Sequence, residues 1–516
     1  MSTGARGAGG APTTGRGGRR WPTAIALLAA LASGGGASAY DPATTHAGLT
    51  QQASVASALH QVLVRRLGRA QGLFDQVALH AELLPEAERR LLLARLGALD
   101  PAGGYRPGAD AVASALAWTV AGSVLAKTPP ERIQNLYLDP STGSGLRDAA
   151  ALDGFAHAIR MIFDAGGSLR GVATGSSFSF EGEPSTRWIE SPDNELGLVP
   201  FIAQLERAIA ETEPAARSSA LARALLAMGG VLCALEDAGN PAQVRNDFRA
   251  SYLHGNVGSP FDRTSSYEEL VAELYGVAGV PAARSAVRRP NVRAYFTAAD
   301  GQGLADRTQR RFFSEGTLPA DGIVDRDTTP REVVMAARGS LTYALPSVPR
   351  LELRELGVRR YAMVTDEGGT RRLLGYERVP GRVRFFLDRN VYADSARALL
   401  PEVASYAAGL IDHLMRGEIT LSRDGDRVRA VVSATAGRIH GGPLRLLAED
   451  AAGRRHEIAS FKTDGGAPDD VSAQLPPGTR RVAAVLRGED TAGPVVAFGE
   501  MTIAEGASPL PRALPR

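Results

Sequence analysis

The residues best placed to do chemistry lie between Gly229 and Asp247, in the order of a metal-binding helix followed by a turn. On a helix, Cys233 and Asp237 lie one turn apart on the same face. The tripeptide Gly239-Asn240-Pro241 is expected to end that helix and to swing Gln243 back towards the same face. Because a metal site would have histidine at two of these three places, this is the layout of a metal site without its usual ligands.

Each of these residues also has a structural interpretation. Cys233 is the only cysteine of the chain, so no intramolecular disulfide is possible, and the thiol is either a buried core group or a ligand. Asp237 lies near a helix C-terminus, where the helix dipole disfavours a carboxylate, so it needs a partner such as Arg245. Asn246 and Asp247 are either part of a binding site or a cap for the next segment.

Composition places the chain among globular proteins. It has 516 residues, of which 44% are hydrophobic and 22% charged, which is enough for two or three domains with cores. The formal net charge is only +2, so no global basic field indicates nucleic acid or an anionic membrane as a partner. The composition therefore excludes a disordered chain but does not by itself indicate a function.

The N-terminus has the pattern of an export signal. A leader with arginines and no acid precedes the apolar run Thr23 to Ala32, and Ala37-Ser38-Ala39 follows as a cleavage pattern. Cleavage after Ala39 would leave Tyr40 as the mature N-terminus. The mature chain is expected to have no transmembrane segment and to be exported, either to the periplasm or out of the cell.

The elements that must position these residues are predicted to be mainly helical as far as residue 280. Apolar spacings of three and four recur over residues 45–80, 85–99, 109–125, 152–165, 198–211 and 215–237. Residues 166–194 are rich in Gly, Ser, Pro and Asp and are expected to form a surface excursion. Residues 281–345 are Arg-rich and irregular, and residues 346–417 combine short strands with a returning helix at 393–415.

The C-terminal part changes character to strands. Apolar and polar residues alternate over residues 418–505, and Glu418 to Leu421 faces Arg427 to Ala434 across a turn containing Gly425, which predicts a hairpin. The expected fold class is therefore a multi-domain, mainly α protein with a small antiparallel, Ig-like β-sandwich of about seven strands at the C-terminus. The predicted divisions are 1–39 signal peptide, 40–280 helical domain, 281–345 insertion, 346–417 mixed strands and helix, 418–505 β-sandwich and 506–516 disordered tail.

Several segments together resemble the superfamily of zinc-dependent phospholipases C and single-strand-specific nucleases. They occur in the family's order and are Tyr40 to Thr50, Asn135 to Pro140 with Gly143 to Leu146, Cys233 to Asp247, and Ser405 to Asp412 with Arg416-Gly417. The resemblance covers about half of the chain, with residues 40–275 matching best. It implies a phospholipase C/nuclease-like helical domain whose three zinc ions activate water against a phosphodiester.

Carried over residue by residue, the resemblance implies a partial ligand set. Tyr40 would supply its free amine and carbonyl, His46 matches the family's first histidine, and Asp237 matches the central aspartate. Glu268 or its neighbour Glu269 matches the final acid. Without the resemblance, His46 would equally serve as an exposed or capping residue at a helix start.

The other implied ligands are replaced. Leu136 and Lys127 stand where a histidine and an acid are expected, and Cys233 and Gln243 stand where two more histidines are expected. The histidine expected one turn before Glu268 is Thr264 or Ser265, and His254 is a candidate substitute. A lysine near the site would place a positive charge where a metal once lay. At most one zinc ion is supportable, from His46, Cys233, Asp237 and Glu268 with Tyr40, while Gln243, Arg245, Asn246, Asp247 and His254 remain as candidate binding residues.

Three hypotheses follow from this pattern. The first is an active zinc-dependent phosphodiesterase, most similar to phospholipase C, with Asp237 or a nearby carboxylate as general base. The second is a pseudoenzyme that keeps the scaffold and binds a phospholipid headgroup, a nucleic acid end or another exported protein. The third is a structural protein of the cell envelope that attaches through its β-sandwich. The missing ligands favour the second over the first, and the retained turn from Asp237 to Asp247 favours it over the third.

Overall fold

The computed structural model describes the chain from residue 40 to residue 503, with gaps. The described residues are 40, 42–84, 86, 89–90, 111–127, 130–147, 181–247, 267–277, 283–318, 322–323, 350–356, 359–366, 369–379, 382–433, 436–462 and 470–503. The predicted leader, the predicted helix at 152–165, most of the predicted helix at 85–99 and the predicted tail at 506–516 lie outside them.

Helices of very different length form one part of the structure. They are α1 Ala47–Ala56, α2 Leu59–Arg66, α3 Ala115–Leu125, α4 Ser185–Trp188, α5 Leu198–Ala210, α6 Pro214–Asp237, α7 Pro241–Val244, α8 Tyr267–Val277, α9 Val292–Phe296, α10 Leu304–Arg311 and α11 Arg389–Leu414. A short π-helix, Pro42–His46, leads into α1, and 3₁₀ turns lie at Gly72–Phe74, Ala81–Leu83, Pro130–Leu136 and Glu315–Thr317. The long helices α5, α6 and α11 correspond to predicted helices.

Helix α6 is the centre of this part. Its Ala- and Leu-rich sequence favours a helix, Pro214 occupies its first turn, and nearly all of its residues are buried against α3 and α5. Among the described helices it alone is long and apolar enough to cross a membrane, and 89% of its apolar window is buried within the protein. It ends at Asp237, where Asn240 caps the short helix α7 through its side chain.

The strands fall into three sheets. The strands are β1 Gln76–Leu79, β2 Ala111–Ser114, β3 Gly322–Ile323, β4 Arg350–Leu356, β5 Arg359–Asp366, β6 Gly369–Val379, β7 Arg382–Phe386, β8 Glu418–Asp424, β9 Arg427–Ser433, β10 Leu444–Glu449, β11 Arg455–Phe461, β12 Asp470–Gln474, β13 Arg481–Asp490 and β14 Gly493–Thr502. Strands β1 and β2 pair alone, β3 to β7 form an antiparallel sheet of order β3-β7-β6-β5-β4, and β8 to β14 form a sheet of order β11-β10-β13-β14-β8-β9-β12.

The five-stranded sheet packs on α11 through β6. Its buried residues, among them Tyr361 and Leu374, belong to the same apolar core as the buried residues of α6 and α11. Asp388 precedes helix α11 and caps it, because its carboxylate accepts from two backbone amides, and the helix continues through Pro401. The sheet therefore shares the core of the helices.

The seven-stranded sheet curls until it is nearly closed. Neighbouring strands are antiparallel except β8 and β14, which pair in parallel through Glu418 and Phe498, and the two edge strands β11 and β12 lie close to each other. One face encloses its own apolar cluster, which includes Val428 and Leu486. The other face places Val496 and Phe498 in the core of the helices.

The predicted fold class is wrong. Helix makes up 44% and strand 27% of the structure, so the protein is a mixed α and β protein and not a mainly α one. The C-terminal strands form one barrel-like mixed sheet and not an Ig-like sandwich of two facing sheets. The error has a physical reason, because alternation specifies that a strand has one buried face and this is true in a sandwich and in a barrel.

Several local predictions agree with the structure and others need correction. The predicted hairpin is present, with Asp424 paired to Arg427 across a two-residue turn in which Gly425 has φ +61°. The segment predicted as a helix over 109–125 begins with strand β2 and becomes helical only at Ala115. The predicted irregular insertion contains α9 and α10 within residues 283–318.

Candidate functional site

Five polar side chains from distant parts of the chain meet in the interior. His46 ends the π-helix that leads into α1, and Lys127 follows the end of α3. Cys233, Glu236 and Asp237 form the last turn of α6. All five are at most 3% exposed, so they form a polar cluster inside an apolar core. Such groups are tolerated only if they satisfy each other.

His46 is held between two carboxylates. Its Nδ1 lies 2.5 Å from Glu236 Oε2 and its Nε2 lies 3.3 Å from Asp237 Oδ1. The other oxygen of Glu236 accepts a hydrogen bond of 2.7 Å from the Thr50 hydroxyl. Burial lowers the pKa of His46, but its interactions with Cys233 and Asp237 outweigh that and hold the pKa well above its usual value. Both ring nitrogens therefore lie against carboxylates, and the raised pKa favours the protonated ring.

Lys127 supplies the second cation. Its Nζ donates to Asp237 Oδ1 over 2.9 Å and to the backbone carbonyl of Tyr40 over 3.3 Å. The carboxylates of Glu236 and Asp237 lie at the C-terminus of α6, where the helix dipole disfavours negative charge, and Lys127 lies at the C-terminus of α3, where the dipole favours a cation. The two carboxylates are thus balanced by two cations. Arg245 was predicted as the partner of Asp237, and this prediction is wrong, because Asp237 pairs with Lys127 and His46.

The thiol of Cys233 contacts the same ring. Its Sγ lies 3.9 Å from His46 Nε2. Burial raises the pKa of Cys233, and Asp237 raises it further, although His46 and Lys127 act in the opposite direction. The side chain is buried, and the chain has no second cysteine with which it could form a disulfide.

The spacing of these side chains can be compared with the spacing of ligands in a zinc site. Ligand atoms of His46, Cys233 and Asp237 all lie within 4.8 Å of one another, and tetrahedral zinc with bonds of about 2.1 Å to nitrogen and oxygen would place such atoms about 3.4 Å apart. The spacing is suitable, so this buried group could hold a metal ion. A ligating histidine needs a free lone pair and a ligating cysteine must be a thiolate, so binding would release protons from both side chains. The ion would also have to compete with the ammonium of Lys127 for Asp237.

Two other positions at which the resemblance implies ligands do not contribute to such a group. Leu136 is 2% exposed and belongs to the apolar core, so it cannot coordinate a metal. Lys127 is ion-paired. One atom remains open, because Asp237 Oδ2 is buried without a hydrogen-bond partner among the described residues.

Tyr40 lies between this cluster of charges and the turn after α6, because its ring centre is 5.9 Å from that of His46, and Glu268 lies at the turn. The Tyr40 hydroxyl donates to the carbonyl of Gly239 over 2.9 Å and lies 3.2 Å from the hydroxyl of Tyr267. Glu268 accepts from the Asn240 side chain over 3.1 Å and is not part of the group formed by the three candidate ligands. Burial raises the pKa of Glu268 to about 7, while the hydrogen bond from Asn240 lowers it.

Most of the remaining candidate binding residues make hydrogen bonds within the protein. Arg245 donates to the carbonyls of Phe312 and Gln309, and Asp247 accepts from the backbone of Gly316 over 2.6 Å. Asn246 has φ +53° and accepts from the backbone of Arg147 over 3.3 Å. Gln243 is fully buried, and both atoms of its amide are without a partner in the described part of the chain. His254 lies outside the described residues.

Glu236 and Thr50 are the site residues that the sequence did not reveal. Glu236 precedes Asp237 and lies three residues after Cys233, so both carboxylates end a helix that is apolar from Ala224 to Leu235. Thr50 lies four residues after His46, one helical turn away. These spacings were available signals, but a carboxylate that pairs with a histidine is not among the family's implied ligands.

The arrangement holds three segments together. It joins the start of α1, the end of α3 and the end of α6 through charged hydrogen bonds. Its side chains are closed off from solvent. The cluster is therefore an internal clamp.

Comparisons with known proteins add little to what the geometry of the site shows. No protein-family model matches the chain, and no curated protein matches it. Two similar solved structures are the alpha toxin of Clostridium absonum, with 11% identity and a TM-score of 0.27 over 90% of this chain and 96% of that chain, and the alpha-toxin of Clostridium perfringens from avian strain SWCP, with 10% identity and a TM-score of 0.25 over 90% and 98%. These TM-scores are too low to establish a common fold.

Proposed function

We propose that the chain is an exported binding protein, a pseudoenzyme on a phospholipase C/nuclease-like scaffold in which a buried lysine takes the place of zinc. One observation carries this proposal. The ammonium of Lys127 contacts Asp237 Oδ1 and the carbonyl of Tyr40, two groups that the sequence resemblance implies as metal ligands. A fixed positive charge there satisfies the carboxylate without a metal.

The charge of the whole cluster supports the same proposal. Two cations, Lys127 and His46, face two carboxylates, Glu236 and Asp237, in a site that excludes water. A zinc ion added to this set would leave a surplus of positive charge in the interior, which is costly. Zinc would have to displace the proton from His46 Nε2 and push Lys127 away.

Burial supports binding over catalysis. A zinc hydrolase keeps an open coordination position that its substrate can reach, whereas His46 and Asp237 are 0% exposed. We therefore assign the binding role to the surface of the scaffold, with a phospholipid headgroup, a nucleic acid end or another exported protein as the partner class. Export is proposed from the arginine-containing leader, the apolar run and Ala37-Ser38-Ala39.

The second candidate function is a phosphodiesterase with a single zinc ion. The observations that favour it are the convergence of His46, Cys233 and Asp237 and the unpaired oxygen Asp237 Oδ2. It requires a state in which His46 loses a proton and Lys127 is displaced.

Metal analysis of the purified mature protein separates these two functions. We expect no stoichiometric zinc after dialysis, and one zinc ion per chain would favour the phosphodiesterase. Three zinc ions per chain would overturn the proposal. If one ion is found, Cys233→Ser should lower its occupancy, and an unchanged occupancy would exclude the thiolate as a ligand.

A gain-of-binding experiment tests whether Lys127 stands in the place of a metal. Lys127→Asp restores an acid where the resemblance implies one, so added zinc should raise the midpoint of urea unfolding of this variant but not of the wild type. The matched control is Lys462→Asp, which changes the exposed lysine. If zinc stabilises all three proteins equally, the lysine does not occupy the metal's place.

Turnover assays complete the test. We expect the mature protein to hydrolyse neither phosphatidylcholine vesicles nor single-stranded DNA, with or without added zinc. Sustained turnover of either substrate that is lost in Asp237→Asn would establish the phosphodiesterase instead. Retention of the protein on vesicles or DNA without turnover identifies which of these two partner classes it binds, whereas retention on neither leaves an exported protein as the partner.

A further inference from the structure

A cleft lined by arginines lies away from the buried cluster. It has a volume of about 490 Å³ and opens between the extended segment 284–289, helix α10 and helix α11. Its charged lining residues are Arg284, Arg288, Arg289, Arg307, Arg311 and Glu402. Five cations therefore share one cleft with one carboxylate.

The arginine-bearing segment is fixed against α11. The backbone amide of Val287 donates to the carbonyl of Ser405 over 3.0 Å, and the amide of Arg284 donates to the hydroxyl of Ser405 over 2.9 Å. The segment approaches the helix closely at Gly409, where a Cβ would lie 1.7 Å from the carbonyl oxygen of Val287. Only glycine permits this approach, so the backbone that carries the arginines has a defined position.

The carboxylates around the cleft neutralise only some of the arginines. Glu402 pairs with both Arg307 and Arg311. Arg289 pairs with Asp300 over 3.2 Å, and its guanidinium carbon lies 5.9 Å from the centre of the Tyr406 ring. The Nε of Arg289 is buried without a hydrogen-bond partner among the described residues.

Arg284 and Arg288 are the excess cations. Both are exposed at the cleft, and neither guanidinium makes a hydrogen bond or ion pair within the described part of the chain. Because Arg289, Arg307 and Arg311 are ion-paired and Arg288 has only the charge of Asp412 near it, these two arginines leave a local excess of positive charge that an anion can neutralise. Each guanidinium offers a planar fork of N–H donors that matches the oxygens of a phosphate group.

We propose that this cleft is a binding site for a phosphate monoester. Its volume is within the range of small-molecule pockets, so it can take the phosphate together with a small organic group. A phosphate monoester carries close to two negative charges at neutral pH, which matches the two unpaired arginines. The site is independent of the buried cluster around Lys127.

Calorimetric titration of the mature protein with glycerol 3-phosphate tests the site. We expect saturable binding that weakens as sodium chloride is raised. The double variant Arg284→Gln/Arg288→Gln should weaken it by about tenfold or more, because it removes both unpaired cations. The matched control is Arg65→Gln/Arg423→Gln, which removes two exposed arginines elsewhere and should change the affinity less than twofold.

Two further titrations identify the source of the phosphate. Inorganic phosphate should compete with glycerol 3-phosphate at the same site. Vesicles of phosphatidylcholine with phosphatidic acid, compared with vesicles of phosphatidylcholine alone, show whether the monoester is a lipid headgroup. Absence of binding to both glycerol 3-phosphate and phosphatidic acid vesicles would overturn the proposal, and so would equal losses of affinity in the two double variants.

Discussion

At the scale of single residues, the protonation of His46 and the charge of Lys127 determine what the interior cluster can do. The same three side chains, His46, Cys233 and Asp237, would be zinc ligands if the histidine were neutral and the cysteine ionised. Glu236 and Asp237 each lie against one nitrogen of the imidazole, and Lys127 ion-pairs with Oδ1 of Asp237 while Oδ2 has no hydrogen-bond partner among the described residues. A metal ion would therefore compete with protons and with Lys127 for these side chains.

Lys127→Met tests the ion pair directly. The variant keeps most of the apolar stem but leaves Asp237 buried with His46 as its remaining cation, so we expect a loss of about 3–5 kcal/mol in the free energy of unfolding. Urea denaturation at pH 7 gives this quantity. The control is Lys462→Met at an exposed position, which should leave stability nearly unchanged. Equal effects of the two substitutions would mean that Lys127 and Asp237 are not paired.

The raised pKa of Glu268 predicts that the free energy of unfolding depends on pH. Burial raises its pKa from 4.5 to about 7 in the folded state, so the folded protein holds a proton that the unfolded chain releases above pH 4.5. The contribution of this group is therefore fully present below about pH 4.5 and is lost as the pH rises through about 7. At pH 8 its ionisation costs about 3 kcal/mol.

Glu268→Gln should remove this dependence, because the amide keeps an oxygen for Asn240 and does not titrate. We expect the variant to match the wild type at pH 4 and to be more stable at pH 8, as measured by urea unfolding across that range. Glu269→Gln alters the exposed neighbour and should reproduce the wild-type profile. A wild-type profile for Glu268→Gln would show that the pKa of Glu268 is the same in the folded and the unfolded protein.

The sequence predicted part of this site for a clear reason. His46, Cys233 and Asp237 were brought together by the order of motifs, and the structure places them in one group. Glu236 was missed because a carboxylate beside Asp237 at a helix end looks like a solvent-exposed terminus. Its burial depends on the packing of α1 against α6, which local spacing does not contain.

At the scale of elements, a close helix crossing sets the position of Lys127. Helices α3 and α6 meet at Gly122 and Gly229, where a Cβ on Gly122 would lie 2.0 Å from the carbonyl oxygen of Leu226 and one on Gly229 would lie 2.1 Å from that of Thr119. The absence of side chains at both positions lets the backbones touch. This proximity brings the end of α3 beside the end of α6.

Gly229→Ala should separate these helices. The clash is with backbone, which cannot rotate away as a side chain can, so we expect the free energy of unfolding to fall by at least about 2 kcal/mol. Urea denaturation measures the loss. A variant as stable as the wild type would show that α3 and α6 do not cross at this distance.

The properties of single helices and strands also explain why the predicted fold class is wrong. Periodicity correctly indicated the long helices α5, α6 and α11, because an apolar stripe at helical spacing is a local property. The C-terminal strands form one sheet because β8 pairs in parallel with β14 through Glu418 and Phe498. Strand pairing between residues eighty positions apart is not encoded in the alternation of either strand, so the sequence could not distinguish a barrel-like sheet from a sandwich.

At the scale of the whole molecule, buried ion pairs join the barrel-like sheet to the helices. Arg416 follows α11 and binds both oxygens of Asp490 at the end of β13, over 2.9 and 2.8 Å. Its guanidinium also donates to the carbonyls of Gly493 and Pro494. Asp490 is 0% exposed, so this pair lies inside the junction.

Arg455 makes a second connection. It leaves β11 to donate to the carbonyl of Ile209 in α5 over 2.7 Å, and it pairs with Glu449 and Glu500 within the sheet. Together with the apolar contribution of Phe498 to the core of the helices, these contacts make the sheet part of the same cooperative structure.

Arg416→Ala tests this junction, and it should cost about 3–5 kcal/mol because Asp490 would be left buried without a cation. Arg429→Ala is the matched control, since it breaks an exposed Arg–Asp pair with Asp470 in the same sheet and should have a much smaller effect. Urea unfolding should remain a single transition in both variants, because the sheet and the helices share one core. Two separate transitions in Arg416→Ala, with the first accounting for the sheet alone, would show that the junction and not the shared core couples the two parts.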